Sequence, residues 1–143
     1  MKIYFAGSIR AGREDALIYH GMVTFLRSLG EVLTGHVGDP SLSSKGNDGP
    51  DDRSIHERDM AWLRSCDLVV AEVSTPSLGV GYELGWAAAL NKPVLCLHRP
   101  SSERFLSAMI AGSPWIKTVE YSSEDDSMKI IKTFITGIYG QTP

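Results

Sequence analysis

Short apolar runs alternate with amphipathic segments along the chain, and few folds accommodate such a repeat. Residues 68–71 are apolar without alternation, which is typical of a strand buried on both faces of a parallel sheet. Between the runs, apolar residues recur at helical spacing, as at Ile18, Met22, Phe25 and Leu29. The pattern predicts five strands, at residues 2–6, 31–34, 67–73, 93–98 and 116–121.

Four further segments have helical character. One is predicted to begin at Ser54, because Ser54 and Glu57 have capping-box spacing. Another is predicted to follow Gly81 and to run through Glu83 to about Leu90, and a short one to cover roughly residues 103–110. The last carries Ile130, Phe134 and Ile138 on one face.

Five strand–helix units predict an α/β fold, a doubly wound parallel sheet with helices on both faces and strand order 2-1-3-4-5. All 143 residues fit a single domain. Ligands of such folds bind at the carboxyl ends of the strands, where the order reverses between strands 1 and 3. Residues 35–52 form a Gly-, Ser-, Asp- and Pro-rich connection, predicted to be a flexible loop that serves as a lid or a mobile insert.

The charge balance limits the partners. Fourteen Lys and Arg against 17 Asp and Glu give a net charge of −3, which argues against a nucleic acid or an anionic membrane but allows a small phosphorylated molecule. We expect neither a signal peptide nor a membrane span. Cys66 and Cys96 lie in or beside apolar runs, as reduced thiols do, so a cytoplasmic location is expected, with the nucleus also open.

The loop after the first strand, residues 7–12, fits neither the Walker motif nor the dinucleotide fingerprint. Gly7 allows close approach of a ligand, the next helix presents free N–H groups, and Arg10 carries donors suited to phosphate. An ordinary tight turn with a surface arginine is the alternative.

Two carboxylates are candidates for catalysis. Glu83 is predicted in the first turn of its helix, where the helix dipole would keep it ionised, as a glycosyl-transfer nucleophile requires. Asp59 shares a helical stripe with Ile55 and Leu63, so it needs a partner or a task. The alternatives are that Glu83 merely caps its helix and that Asp59 makes a structural hydrogen bond to a neighbouring loop.

The histidines say less. His36 lies on the ligand edge and could contact a base or only solvent, whereas His20, His56 and His98 lack metal-ligand spacing, so no metal is expected.

Several segments resemble the 2′-deoxynucleoside 5′-monophosphate N-glycosidases of the nucleoside 2-deoxyribosyltransferase superfamily. They are residues 4–10 (YFAGSIR), 32–37 (VLTGHV), 55–59 (IHERD), 76–85 (PSLGVGYELG) and 106–110 (LSAMI). The resemblance implies a flavodoxin-like fold, a homodimer and hydrolysis of the bond between base and deoxyribose 5-phosphate, without a cofactor.

The resemblance also implies roles for single residues. Glu83 matches the nucleophile that forms a glycosyl-enzyme intermediate, Asp59 the residue that assists proton transfer to the leaving base, and Tyr4 the tyrosine that positions the nucleophile. Ser107 matches a serine that reaches the phosphate from the other subunit. The substrate-binding positions implied in this way are Gly7, Ser8, Ile9, Arg10, Tyr19, His36, Ser77, Gly79, Ser107, Ala108 and Met109.

One position favours a nucleotide over a nucleoside. Related transferases typically have an aspartate where Ser77 stands, and a carboxylate would repel a phosphate dianion to which a serine hydroxyl can donate. We therefore expect a hydrolase of deoxynucleoside monophosphates. A deoxyribosyltransferase that passes the same intermediate to another base and a nucleotide-binding module without catalysis are the alternatives.

Overall fold

A computed structural model describes residues 1–44, 50–100 and 103–140, and within these ranges five strands form one all-parallel sheet. Its order, β2-β1-β3-β4-β5, confirms the predicted topology. Each strand lies inside or matches the range predicted for it. The strands are β1 (Lys2–Ala6), β2 (Glu31–Val32), β3 (Leu68–Glu72), β4 (Val94–His98) and β5 (Ile116–Glu120).

The helices cover both faces of the sheet. Because neighbouring residues of a strand point to opposite faces, Phe5 packs with the first and last helices, whereas Tyr4 packs with the second and third. The core is therefore two apolar layers separated by the sheet. The helices are α1 (Ala16–Arg27), α2 (Asp52–Ser65), α3 (Leu78–Ala89), α4 (Ala108–Ala111) and α5 (Glu124–Tyr139), and Gly35–Gly38 form a 3₁₀ turn.

Three predicted helix boundaries were wrong. Helix α2 begins at Asp52, because the carboxylate of Asp51 accepts a hydrogen bond from the Ser54 N–H at 2.8 Å; Ser54 therefore lies inside the helix and does not cap it. Helix α3 begins at Leu78 and not after Gly81, and Ser77 caps it by accepting from the Val80 N–H. Helix α4 is one turn long instead of spanning residues 103–110.

The predicted loop of residues 35–52 is only partly described. It opens with the 3₁₀ turn and ends in the first residue of α2, while residues 45–49 lie outside the described ranges. In the part of the chain that the structure describes, no helix combines the length and apolarity needed to cross a bilayer.

Candidate active site

A tyrosine and a glutamate meet between the sheet and α3. The Tyr4 hydroxyl, on β1, donates a hydrogen bond to Oε1 of Glu83 at 2.5 Å. Glu83 is the sixth residue of α3, in its second turn, so the predicted first-turn position was wrong. Tyr4 is 1% exposed, which fixes its ring in the sheet-facing layer and holds one carboxylate oxygen in place.

Burial governs the protonation of this pair. It raises the pKa of Glu83 to about 7, against the hydrogen bond from Tyr4, which lowers it, while the charge of Asp59 raises it further. Burial and the charge of Glu83 also raise the pKa of Tyr4, so the tyrosine remains a donor. The expectation that the helix dipole keeps Glu83 ionised is corrected: beyond the first turn the dipole is weak, and desolvation dominates.

Asp59 faces this pair from α2. Its charge raises the pKa of both Glu83 and Tyr4. Arg58 donates to Asp59 Oδ1 from Nε at 2.9 Å, and Nη2 lies 2.9 Å from the same oxygen. The guanidinium also lies 4.7 Å from the centre of the Trp62 ring. The hydrogen-bond partner found for Asp59 is thus Arg58, its neighbour on the same helix, and not a residue of a neighbouring loop.

His36 closes the same side of the site. It lies in the 3₁₀ turn after β2, and its ring centre is 5.9 Å from that of Trp62. Burial lowers the pKa of His36, and the positive charge of Arg58 lowers it further. The ring therefore favours the neutral state, in which it can both donate and accept a hydrogen bond.

Tyr19 supports the first loop from the other face of the sheet. It is fully buried in α1, accepts a hydrogen bond from the Ser8 N–H at 3.2 Å, and does not join Tyr4 and Glu83. A Cβ on Gly7 would come within 3.0 Å of the Tyr19 ring, which explains the glycine. Ile9 is half-buried, and exposed Arg10 pairs with Asp52 at 2.7 Å.

Arg13, a residue that the sequence analysis did not select, joins the first loop to the His36 turn. Its guanidinium donates to the carbonyl oxygens of Ser8, Val37, Asp39 and Leu42 at 2.8–3.2 Å. Carbonyl groups from two separate loops are thereby held around one cation.

A buried network supports the loop after β3. Glu72, fully buried at the end of the strand, accepts hydrogen bonds from the Ser74 hydroxyl and, at 3.0 Å, from the Tyr121 hydroxyl. Asp15 accepts from Thr75 at 3.0 Å and from Arg99 at 2.7 Å. Neither Glu72 nor Asp15 is among the candidate residues named from the sequence. The sequence does contain one signal for this network, because Glu72 is an acidic residue at the end of an otherwise apolar strand.

The remaining predicted positions lie at helix N-termini. Ser77 and exposed Gly79 begin α3, and a Cβ on Gly79 would meet only the Ser77 hydroxyl, at 3.8 Å. Ser107 caps α4, where it, Ala108 and Met109 are all exposed. Within residues 1–44, 50–100 and 103–140, no three His, Cys, Asp or Glu side chains come together as a metal site would need.

Sequence comparison identifies the family. The family model described as nucleoside 2-deoxyribosyltransferase matches residues 3–129, nearly the whole chain. The chain belongs to this family. A Danio rerio protein named 5-hydroxymethyl-dUMP N-hydrolase is 51% identical over 137 residues, covering 94% of this chain and 95% of its own. The Mus musculus protein of that name is 60% identical over 112 residues, covering 78% of this chain and 65% of its own.

Structural comparison supports the same architecture. The CMP N-glycosidase BcmB of Clostridium botulinum superposes with a TM-score of 0.67, covering 93% of this chain and 99% of its own. Its sequence identity is 18%, so this likeness establishes the fold alone.

The raised pKa of Glu83 predicts a pH-dependent effect on stability. Because the folded-state pKa lies near 7 and the ordinary value is 4.5, the stability contributed by Glu83 is present below pH 4.5 and is lost as pH rises through 7. Glu83→Gln should therefore raise Tm relative to the unchanged chain by about 5 °C more at pH 8 than at pH 4.5, measured by calorimetry.

The matched control is Glu57→Gln on α2. Glu57 is exposed and pairs with Arg53, so its Tm difference should not follow the same pH course. Equal stabilisation by Glu83→Gln at both pH values would contradict the assignment of a raised pKa.

Proposed function

We propose that the chain is an N-glycosidase that hydrolyses 2′-deoxynucleoside 5′-monophosphates to free base and 2-deoxyribose 5-phosphate. The observation that carries the proposal is the Tyr4–Glu83 hydrogen bond, with Asp59 facing it, at the strand edge where the sheet order reverses. The names of relatives at 51% and 60% identity support the same reaction.

The chemistry is a double displacement. The ionised carboxylate of Glu83 attacks C1′ of the sugar, and the electron pair of the breaking C1′–N bond goes to the base, which receives a proton with the help of Asp59. Water then attacks C1′ of the glycosyl ester and releases Glu83, so the anomeric configuration is retained. Tyr4 holds Oε1 of Glu83, and a pKa near 7 leaves about half of the carboxyl groups ionised at neutral pH.

A phosphate subsite at the start of α3 fits the nucleotide. Ser77 keeps a hydroxyl proton to donate there, beside the N–H groups of Leu78 and Gly79, which have no partner within the helix. Neither kind of group repels an anion as a carboxylate would. We assign Arg10 to the same phosphate; its exposed ion pair with Asp52 is of a kind that contributes little and is readily exchanged.

A second copy of the chain would complete the site. Leu78, Tyr82 and Trp86 are exposed along one side of α3, at 96%, 49% and 39% of their surface. Gly81 and Gly85 face open space on the same helix, where each glycine costs about 0.5–1 kcal/mol relative to alanine. Exposed apolar side chains beside small residues suit packing against another helix. In this homodimer, Ser107 would reach the phosphate of the neighbouring site.

The test is a chromatographic assay of purified protein with deoxynucleoside monophosphates. The panel includes 5-hydroxymethyl-dUMP, the matching ribonucleotides, and deoxynucleosides without phosphate. The expected result is base and 2-deoxyribose 5-phosphate in equal amounts from at least one deoxynucleotide, and far less base from its nucleoside. No base from any member would overturn the proposal. A new nucleotide formed when a competing base is added would instead identify a transferase.

A further inference from the structure

Arg58 and Asp59 contact each other although their sequence positions argue against it. Consecutive residues of a helix point about 100° apart, and such pairs do not normally face each other. The contact forms because the Arg58 side chain folds along the helix until its guanidinium lies over Trp62, one turn further on. From there Nε and Nη2 both approach Oδ1 of Asp59 at 2.9 Å.

This arrangement is protected from solvent and has one open position. The side chains of Arg58 and Asp59 are 28% and 22% exposed, so the pair is screened less than a surface ion pair. Trp62 is itself half-buried against the His36 ring, which restricts how far the guanidinium can move. Both contacts from Arg58 go to Oδ1 of Asp59, and no hydrogen bond to Oδ2 is found among the described residues.

The charges around Asp59 explain why the orientation of its carboxylate is important. Glu83 from α3 and Tyr4 from β1 face it, and His36 faces it from the turn after β2. Two carboxylates therefore share one side of the site, and like charges repel. Arg58 is the cation bound directly to Asp59, so its positive charge offsets the repulsion between the carboxylates of Asp59 and Glu83.

We propose that Arg58 is a positioning residue for the cleavage reaction, which holds Oδ1 of Asp59 so that Oδ2 is left to meet the leaving base. The inference rests on the proposed function. Arg58 acts through Asp59 and need not touch the substrate. Together with Trp62, it keeps the Asp59 carboxylate in one orientation before a nucleotide binds. This orientation lowers the barrier to cleavage, because the proton transfer to the leaving base requires it.

A double-mutant cycle tests this dependence. Asp59→Asn is expected to lower kcat about 100-fold, and Arg58→Met, which keeps an unbranched side chain over Trp62, about tenfold, with KM changed less than twofold. If Arg58 acts through Asp59, the kcat of the double variant should be lowered no more than about 100-fold, the same loss as for Asp59→Asn alone. Arg58→Lys retains the positive charge but lacks the planar guanidinium, so its kcat should lie between those of Arg58→Met and the unchanged chain.

The matched control is Arg53→Met, since Arg53 is an exposed arginine of the same helix whose partner is Glu57; its kcat should not change. A 1,000-fold loss in the double variant, or a loss confined to KM, would overturn the inference while base release by the unchanged chain still upheld the proposed function. A crystal structure of Arg58→Met provides a readout independent of activity. A rotated or disordered Asp59 carboxylate is expected, and an unmoved one would overturn the inference.

Discussion

Glu83→Gln is expected to reduce base release about 10⁴-fold while leaving the fold intact. The amide is close in size and shape to the carboxylate and can still accept the hydrogen bond that Tyr4 donates at 2.5 Å. It cannot supply the electron pair that forms an ester with C1′, so only the contributions of binding and orientation remain. The measurement is single-turnover release of base, which separates the cleavage step from product release.

The covalent step has a direct signature. When the unchanged chain is quenched in acid during turnover, a fraction of molecules should carry the mass of a deoxyribose phosphate attached to the peptide that contains Glu83. Glu83→Gln should show none. Glu57→Gln, on the exposed side of α2, should react as the unchanged chain does. A rate within tenfold of normal for Glu83→Gln would rule out nucleophilic catalysis by this residue.

The sequence predicted the sheet because its signals are local. The apolar run at residues 68–71 is typical of a buried strand, and the alternation of strands with helices limited the strand order to very few choices. The start of α3 was wrong for a related reason. Gly79 and Gly81 were interpreted as loop residues, whereas Ser77 already caps the helix and both glycines lie on its exposed side.

The interactions that tune the site could not be predicted in this way. The pKa of Glu83 depends on how deeply the helix and sheet bury it, which helix position alone does not determine. The Arg58 contact depends on Trp62 holding the guanidinium, and the rule for adjacent helical residues argues against that contact. Arg13 donates hydrogen bonds to backbone carbonyl groups of residues up to 29 positions away in the sequence. The burial of Glu83 and the contacts of Arg13 are consequences of tertiary packing. The Arg58 contact lies within one helix but depends on tertiary packing through the Trp62 ring, which lies against His36.

The homodimer proposed above predicts that two inactive variants restore activity to each other. Glu83→Gln lacks the nucleophile but retains Ser107. Ser107→Asp retains the nucleophile but places a negative charge where the proposal puts the phosphate, and like charges repel. Ser107 is exposed and caps α4, and aspartate is an equally good capping residue, so this variant should fold normally. Each variant alone should release base at a small fraction of the normal rate.

Mixing them should restore about a quarter of the activity of the same amount of unchanged protein. With free exchange of subunits, half of the dimers contain one chain of each kind, and one of their two sites pairs an intact Glu83 with an intact Ser107 from the other chain. The assay is base release after co-refolding differently tagged chains, measured first on the whole mixture. The mixed dimer, isolated on both tags, should then have about half of the normal activity, because one of its two sites is intact.

A second mixture shows whether the recovery comes from Ser107 crossing between subunits. Glu83 and Asp59 face each other within one chain, so a mixed dimer of Glu83→Gln and Asp59→Asn has one site without the nucleophile and one without the proton-handling carboxylate. It should recover nothing. Recovery in this mixture would mean that the carboxylates come from different chains. Absence of recovery with Ser107→Asp, in a mixed dimer isolated on both tags, would mean that Ser107 serves its own site or none.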